Sequence, residues 1–232
     1  PVSAIDSDLL LMRTGSSHSL EIHSQKSQKL VVRIDKKGDF NIQAFDMRSD
    51  SDNNYFIIYS DCVDTQIFKF SQQDIALKKL TKKVCFENRI PRLNASSFVK
   101  VYKDQYSQEL KAILIDDNLR VSILNLATLK VTQVADLAAI VGQQQGKFRK
   151  YDRIFNFAIF NENTNLLVVN FLHVEMMLVF KIEEATPADS SLYWSMPKLS
   201  SSSERPLALC MTFCPENENI VVAYDNNKIQ VF

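Results

Sequence analysis

"IVVAYDNNKIQVF", residues 220–232, closes the chain and opens the question of its fold. A mostly apolar run of five residues meets Asp225-Asn226-Asn227, and a second alternating run follows. Near-echoes stand upstream: "AILIDDNLRVSILNL" at 112–126 and, more loosely, "YFIIYSDCVDTQIFKF" at 55–70. Apolar runs bounded by Asp, Asn and Ser read as strands joined by turns. One chain therefore writes the same hairpin several times.

The period follows from the first apolar run of each hairpin. Leu9, Phe56, Ala112, Leu166 and Ile220 are successive landmarks, 47, 56, 54 and 54 residues apart. That spacing lies just above the roughly 40–50 residues of a propeller blade. Another strand-like run precedes four of the five landmarks: "FNIQAFDMRSDSDNN", "SFVKVYKDQYSQ", "RIFNFAIFNENTN" and "PLALCMTFCPENEN". A further strand candidate follows each of the first four hairpins: "QKLVVRI", "IALKKLTKKV", "LKVTQVADL" and "SLYWSMPKL". The unit is four short strands. The best helix candidate, "QVADLAAIV" at 133–141, is short. The expected class is all-β.

Four-stranded units repeated about an axis make a β-propeller, which leaves only short, protected sheet edges. About four to five blades are expected in residues 1–232, as part of one propeller domain. They fit either a small closed propeller or, as read here, part of a larger ring. The first residue is not Met and the last is an apolar strand residue, so the chain is expected to be a fragment.

Composition narrows the function classes. At 232 residues and 46% hydrophobic the chain can bury a sizeable core. Its 27 basic and 27 acidic residues cancel, so no global field announces a nucleic-acid or membrane partner. Cys62, Cys85, Cys210 and Cys214 lack the density of a disulfide scaffold, which favours a reduced, intracellular compartment. The start carries no basic-then-apolar leader, and no apolar run approaches the roughly 18 residues of a membrane span. A soluble protein is expected.

The closing hairpin resembles the third and fourth strands of a WD repeat, where Asp-Gly or Asp-Asn turns the corner before an Ile-x-Val-aromatic strand. The repeats are degenerate: there is no Gly-His pair and no Trp-Asp pair, and Trp194 is the only tryptophan. Across roughly 40–232, the succession is "NIQAFDMRSDSDNNYFIIYSDCVDTQIFKF", "VKVYKDQYSQELKAILIDDNLRVSILNL", "YDRIFNFAIFNENTNLLVVNFLHVEMMLVFKI" and "LALCMTFCPENENIVVAYDNNKIQVF". It resembles the C-terminal propeller of the cirhin-type WD-repeat subunits of the small-subunit processome. The resemblance implies a non-catalytic scaffold in the nucleolus, within the nucleus. Its partners would be other WD-repeat and helical subunits, gathered on the 5′ external transcribed spacer of pre-ribosomal RNA.

Two basic clusters are the candidate contacts. Lys147, Phe148, Arg149, Lys150, Tyr151 and Arg153 interleave cations with aromatic rings, which neutralise phosphates and stack on unpaired bases. Lys78, Lys79, Lys82, Lys83, Arg89 and Arg92 form the second cluster. The plainer account of both is a solvated blade edge, where lysines discourage edge pairing.

Other candidates are weaker. Cys210 and Cys214 stand four apart, on one face of a strand, and read as core thiols. Zinc would need further ligands, and His18 and His23 lie far upstream. His173 reads as a turn or partly buried side chain, and Met176 and Met177 as packing residues. Asp116-Asp117 falls in a hairpin turn, where Asp is favoured for backbone reasons. No nucleophile elbow, P-loop or dinucleotide fingerprint occurs, so neither an enzyme nor a cofactor or metal is expected. The segments at 200–206 and 183–191 read as polar bridges or docking loops. A generic WD-repeat adaptor in a vesicle coat or ubiquitin ligase is the alternative function.

Overall fold

The computed structural model describes residues 2–5, 9–13, 19–35, 41–61, 63–71, 73, 95–145, 154–172, 176–197, 207–214 and 219–232. Their strands form five sheets in which spatial order follows chain order. The first holds β1 (Val2–Ile5), β2 (Leu9–Arg13), β3 (Ser19–Ser24) and β4 (Leu30–Asp35). The second holds β5 (Ala44–Ser49), β6 (Asn54–Ser60) and β7 (Thr65–Ser71). The third holds β8 (Ser96–Lys103), β9 (Leu110–Asp116), β10 (Arg120–Asn125) and β11 (Val131–Asp136). The fourth holds β12 (Phe155–Asn161), β13 (Leu166–Phe171), β14 (Met176–Lys181) and β15 (Ser191–Pro197). The fifth holds β16 (Ala208–Phe213), β17 (Ile220–Tyr224) and β18 (Ile229–Val231).

Leu9, Phe56, Ala112, Leu166 and Ile220 all fall on the second strand of their sheet. Three of the four trailing strand candidates coincide with β4, β11 and β15; "IALKKLTKKV" at 75–84 lies outside the described residues.

The chain divides into two compact units: Pro1–Asp117 with Ser122–Thr132, and Asn118–Val121 with Gln133–Phe232. In the first, one core joins Leu11, Ile22 and Val32 of the first sheet to Met47, Ile57 and Phe70 of the second. A second core joins Phe56, Ile58 and Ile67 to Val99, Val101, Ala112 and Leu114. In the second unit, Val168, Met177, Val179 and Met196 pack with Met211, Ile220, Val222 and Tyr224. Within each unit, successive sheets thus share apolar layers, and Met177 is a packing residue as its sequence suggests.

The corners repeat as closely as the strands. Ser24, Asp50, Asp104, Asn125 and Asn161 each accept a hydrogen bond from a backbone N–H two or three residues on. A residue with positive φ then closes each of these turns: Gln28, Asn53, Gln108, Leu129 and Asn165. Asn227 closes the last hairpin at φ 62°. Glycine takes that conformation most cheaply, but the chain has only four, so Gln and Leu occupy it too.

Two expectations shift. The helix candidate at 133–141 splits: 133–136 complete β11, and the helix, α1, runs Leu137–Gln145. Asp136 caps it by accepting the Ala139 N–H at 2.9 Å, so the helix begins after the aspartate rather than before it. The bridge beginning at 183 is a folded turn. Ser190 Oγ accepts the Glu183 N–H at 2.9 Å around a short 3-10 turn at Pro187–Asp189. The segment 200–206 lies outside the described residues.

Candidate interaction surface

All twelve residues of the two basic clusters, 78–92 and 147–153, lie outside the described residues, as do Cys62, Cys85, His18 and His173. The surface is therefore built from the described residues. In sequence, Arg153 adjoins Ile154, the first described residue after the second cluster.

The first strands of three sheets share a device. The pairing register shifts at Ser96/Phe98 on β8, at Phe155/Phe157 on β12 and at Ala208/Cys210 on β16. A bulge adds one residue to one strand and re-aims the side chain there. The re-aimed residues are Ser97, Asn156 and Leu209.

In the first unit this end is hydroxylic and acidic. Ser97 Oγ donates to Asp117 Oδ1 at 2.6 Å. The buried Ser96 donates its N–H to Ser60 Oγ at 2.6 Å, and Thr65 Oγ1 lies within 3.2 Å of Ser96 Oγ. Asp61 Oδ1 accepts the N–H groups of Val63 and Asp64, which fixes an Asx turn with Val63 exposed at its tip. Deeper along the same seam, the buried Asp46 accepts the Val101 N–H at 2.8 Å and lies 3.3 Å from the Lys100 ammonium. A buried carboxylate persists only when so paired.

In the second unit the corresponding end is closed by amides. Asn156 Nδ2 donates to Ala208 O at 3.1 Å, and Asn170 Nδ2 donates to Asn156 Oδ1 at 2.6 Å. Asp225 accepts the Leu207 N–H and returns its own N–H to Leu207 O, both at 3.0 Å, which ties the last turn to β16. This frame holds apolar side chains in solvent: Ile154 is 51% exposed, Leu172 41%, Leu207 49% and Leu209 59%. The Leu172 N–H bonds Ile154 O, so these two residues are neighbours. This rim has only a faint mark in the sequence. Its signals were the lone asparagines inside the apolar runs "RIFNFAIF" and "LLVVNF".

The β8–β9 hairpin carries the sharpest electrostatic feature. Lys111, itself buried, donates to the Asp104 carboxylate. Burial is the largest single influence and pushes that carboxyl up, but the Lys111 hydrogen bond opposes it. The Tyr106 N–H, the Ser107 hydroxyl and the Lys111 charge add to that bond, so the group sits below the ordinary carboxylate range. The pair fixes a corner and leaves Tyr106 projecting.

The cysteine expectation is corrected. Cys210 is exposed and Cys214 only half-buried. The bulge at Leu209 resets the alternation of β16, so Met211 faces the core while Cys210 and Thr212 face away. Cys214 lies beyond the end of the strand. His23 pairs with Glu21 at 2.9 Å on β3. Asp116 and Asp117 stand at the β9–β10 corner, Asp116 buried and Asp117 exposed. Among the described residues no group of three His, Cys, Asp or Glu side chains could hold a metal ion, and no helix is long and apolar enough to cross a membrane.

No family model and no curated protein matches the chain. Solved structures do. Hsv2 of Kluyveromyces marxianus aligns over 98% of this chain and 57% of its own, with TM-score 0.60 and 13% identity. The Cps50 (Swd1) β-propeller domain of Myceliophteria thermophila aligns over 100% and 68%, with TM-score 0.54 and 10% identity. This chain folds as blades of a β-propeller. Hydrazine synthase of Kuenenia stuttgartiensis is also similar, with TM-score 0.60 and 10% identity over 96% of this chain and 54% of its own. The chain spans just over half the length of Hsv2 and of hydrazine synthase. Proteins as different as these share the propeller, so the fold leaves function to the sites placed on it.

Proposed function

We propose that this chain is propeller from a non-catalytic scaffold of ribosome biogenesis. It assembles with other WD-repeat and helical subunits on the 5′ external transcribed spacer of pre-ribosomal RNA, in the nucleolus. The observation that carries the scaffold reading is the apolar rim of Ile154, Leu172, Leu207 and Leu209, exposed at the ends of β12, β13 and β16. Exposed apolar groups on a fixed frame bind other macromolecules at little entropic cost. The resemblance of the repeat order to cirhin-type subunits supplies the particular assembly.

In this reading Lys147, Arg149, Lys150 and Arg153, with Phe148 and Tyr151, contact RNA or an acidic partner. Lys78, Lys79, Lys82, Lys83, Arg89 and Arg92 add a second contact. Each is individually modest, and avidity comes from engaging several at once.

The test is purification of the protein from its cells, with RNA and protein in the eluate identified. Pre-ribosomal RNA with its 5′ spacer and nucleolar WD-repeat proteins is the expected recovery. Coat or ligase subunits without ribosomal RNA would retire the assignment. Lys147→Glu with Arg149→Glu and Lys150→Glu is expected to lower RNA recovery and flatten its salt dependence by about three phosphate contacts. Unchanged RNA binding at low salt would remove the cluster from the interface.

A further inference from the structure

The fourth sheet has four strands among the described residues, and its last strand turns two aromatic rings to solvent. Elsewhere the last strand of a four-stranded sheet exposes Leu30 and Arg33 on β4, and Gln133 on β11. On β15 the exposed residues are the consecutive Tyr193 and Trp194, at 65% and 49%. The pairing register explains how neighbours in sequence both reach solvent. Val179 faces Trp194 and Phe180 faces Leu192, so Tyr193 is the inserted residue of a bulge. A regularly alternating strand would turn one of the two to each face; the bulge re-aims the pair.

The charge beside these rings has one sign. Between Lys181 and Lys198 the sequence holds three acids, Glu183, Glu184 and Asp189, and no basic residue. Lys181 lies 3.8 Å from Glu183, so its charge is already engaged. Asp189 is exposed, and Glu183 and Glu184 are half-buried. The Glu183 N–H bond to Ser190 Oγ holds this connection against the start of β15. Trp194 stands three residues along the strand from Ser191, about 10 Å away. The strand itself, "SLYWSMP", carries no charge.

We infer that Tyr193 and Trp194 anchor a basic, extended protein segment, with one cation laid over the rings and another reaching the carboxylates of the preceding connection. Ring faces attract cations through their quadrupole, tryptophan most strongly, and the arginine plane also stacks on them. In an extended segment every second side chain shares a face, about 7 Å apart, so alternate cations meet rings and carboxylates together. Bases of RNA would stack on the same rings, but their phosphates would face Glu183, Glu184 and Asp189 with no arginine or lysine on the strand to neutralise them. β15 is the opposite edge of its sheet from β12, so this surface is distinct from the apolar rim. The inference does not depend on the ribosomal reading.

The test places the photo-crosslinking residue p-benzoylphenylalanine at the position of Tyr193, in the protein within its own cells, and maps the adducts by mass spectrometry. The expected adduct is a protein segment with arginine or lysine at alternate positions. Glu183→Lys with Asp189→Lys is expected to cut its yield at least about tenfold, because like charges then face each other. Asn226→Lys, in the exposed last turn, is expected to leave the yield unchanged. Raising the salt of a fresh lysate before irradiation is expected to lower the yield without any charge substitution, by screening the same attraction. An adduct to RNA, an adduct to an acidic or uncharged segment, or no adduct at all overturns the inference. So does a yield that neither the charge reversals nor salt can move.

Discussion

On the face of the first sheet away from its core, Leu10 and Met12 share the surface with Glu21, His23 and Arg33. The strand pairings set Leu10 beside His23 and Met12 beside Glu21. On the corresponding face of the last sheet, two rows of three side chains hold no charge at all. The seams differ in the same sense. The first unit joins its second and third sheets through a carboxylate, a lysine and three hydroxyls; the second joins its sheets through two asparagines. Charge makes a surface that tolerates water, and its absence makes one that needs cover. The first and last sheets of the described residues therefore differ in surface chemistry despite a common strand plan.

The largest effects should come from breaking cover itself. Ile57→Ala, on a strand covered on both faces, is expected to lose about 2–5 kcal/mol in urea unfolding. Val221→Ala on the open face is expected to lose less than about 1 kcal/mol. Equal losses would mean that the last face is already covered.

Next come the seams. Asp46→Ala strands the buried Val101 N–H and should cost about 1.5–3 kcal/mol. Asn156→Ala, which frees Asn170 Nδ2 and Ala208 O, should cost about 1–2 kcal/mol. A reversed order would place the stronger seam in the second unit.

The third contrast is pH. The carboxyl of Asp104 is depressed in the folded chain, so its contribution is present above the unfolded carboxylate pKa and lost as pH falls through the lower folded value. Acid titration should weaken the first unit in that window, and Lys111→Met should abolish the effect, as followed by NMR of the β8–β9 hairpin. Persistence of the acid transition in the variant would assign it to another group.

The smallest effects belong to exposed positions. Arg33→Ala, which removes a 3.9 Å ion pair, should change stability by no more than about 0.5 kcal/mol. Gln108→Gly should gain up to about 1 kcal/mol by relieving a positive φ, less what is lost with the side-chain bond to Gln105 O. A loss there would show that this bond outweighs the backbone strain.

The sequence by itself determined most of the strands and their corners. Apolar runs at a fixed period need no tertiary information to declare themselves, and Asx residues before each turn act locally through their own backbone. Five landmarks on five second strands follow from that locality. The Asp136 cap was equally legible, yet the helix candidate started too early because "QVAD" suits a strand as well as a helix, and the neighbouring β10 decided. The tertiary structure alone decided which face of each strand is covered. "IVVAY" and "AILI" look alike, but exposure is a property of neighbours and not of composition. Bulges added the rest: one extra residue on β16 turned Cys210 outward, and one on β12 aimed Asn156 at the next sheet. Alternation counted along the chain cannot register an inserted residue, because the count is local and the register is set by the partner strand.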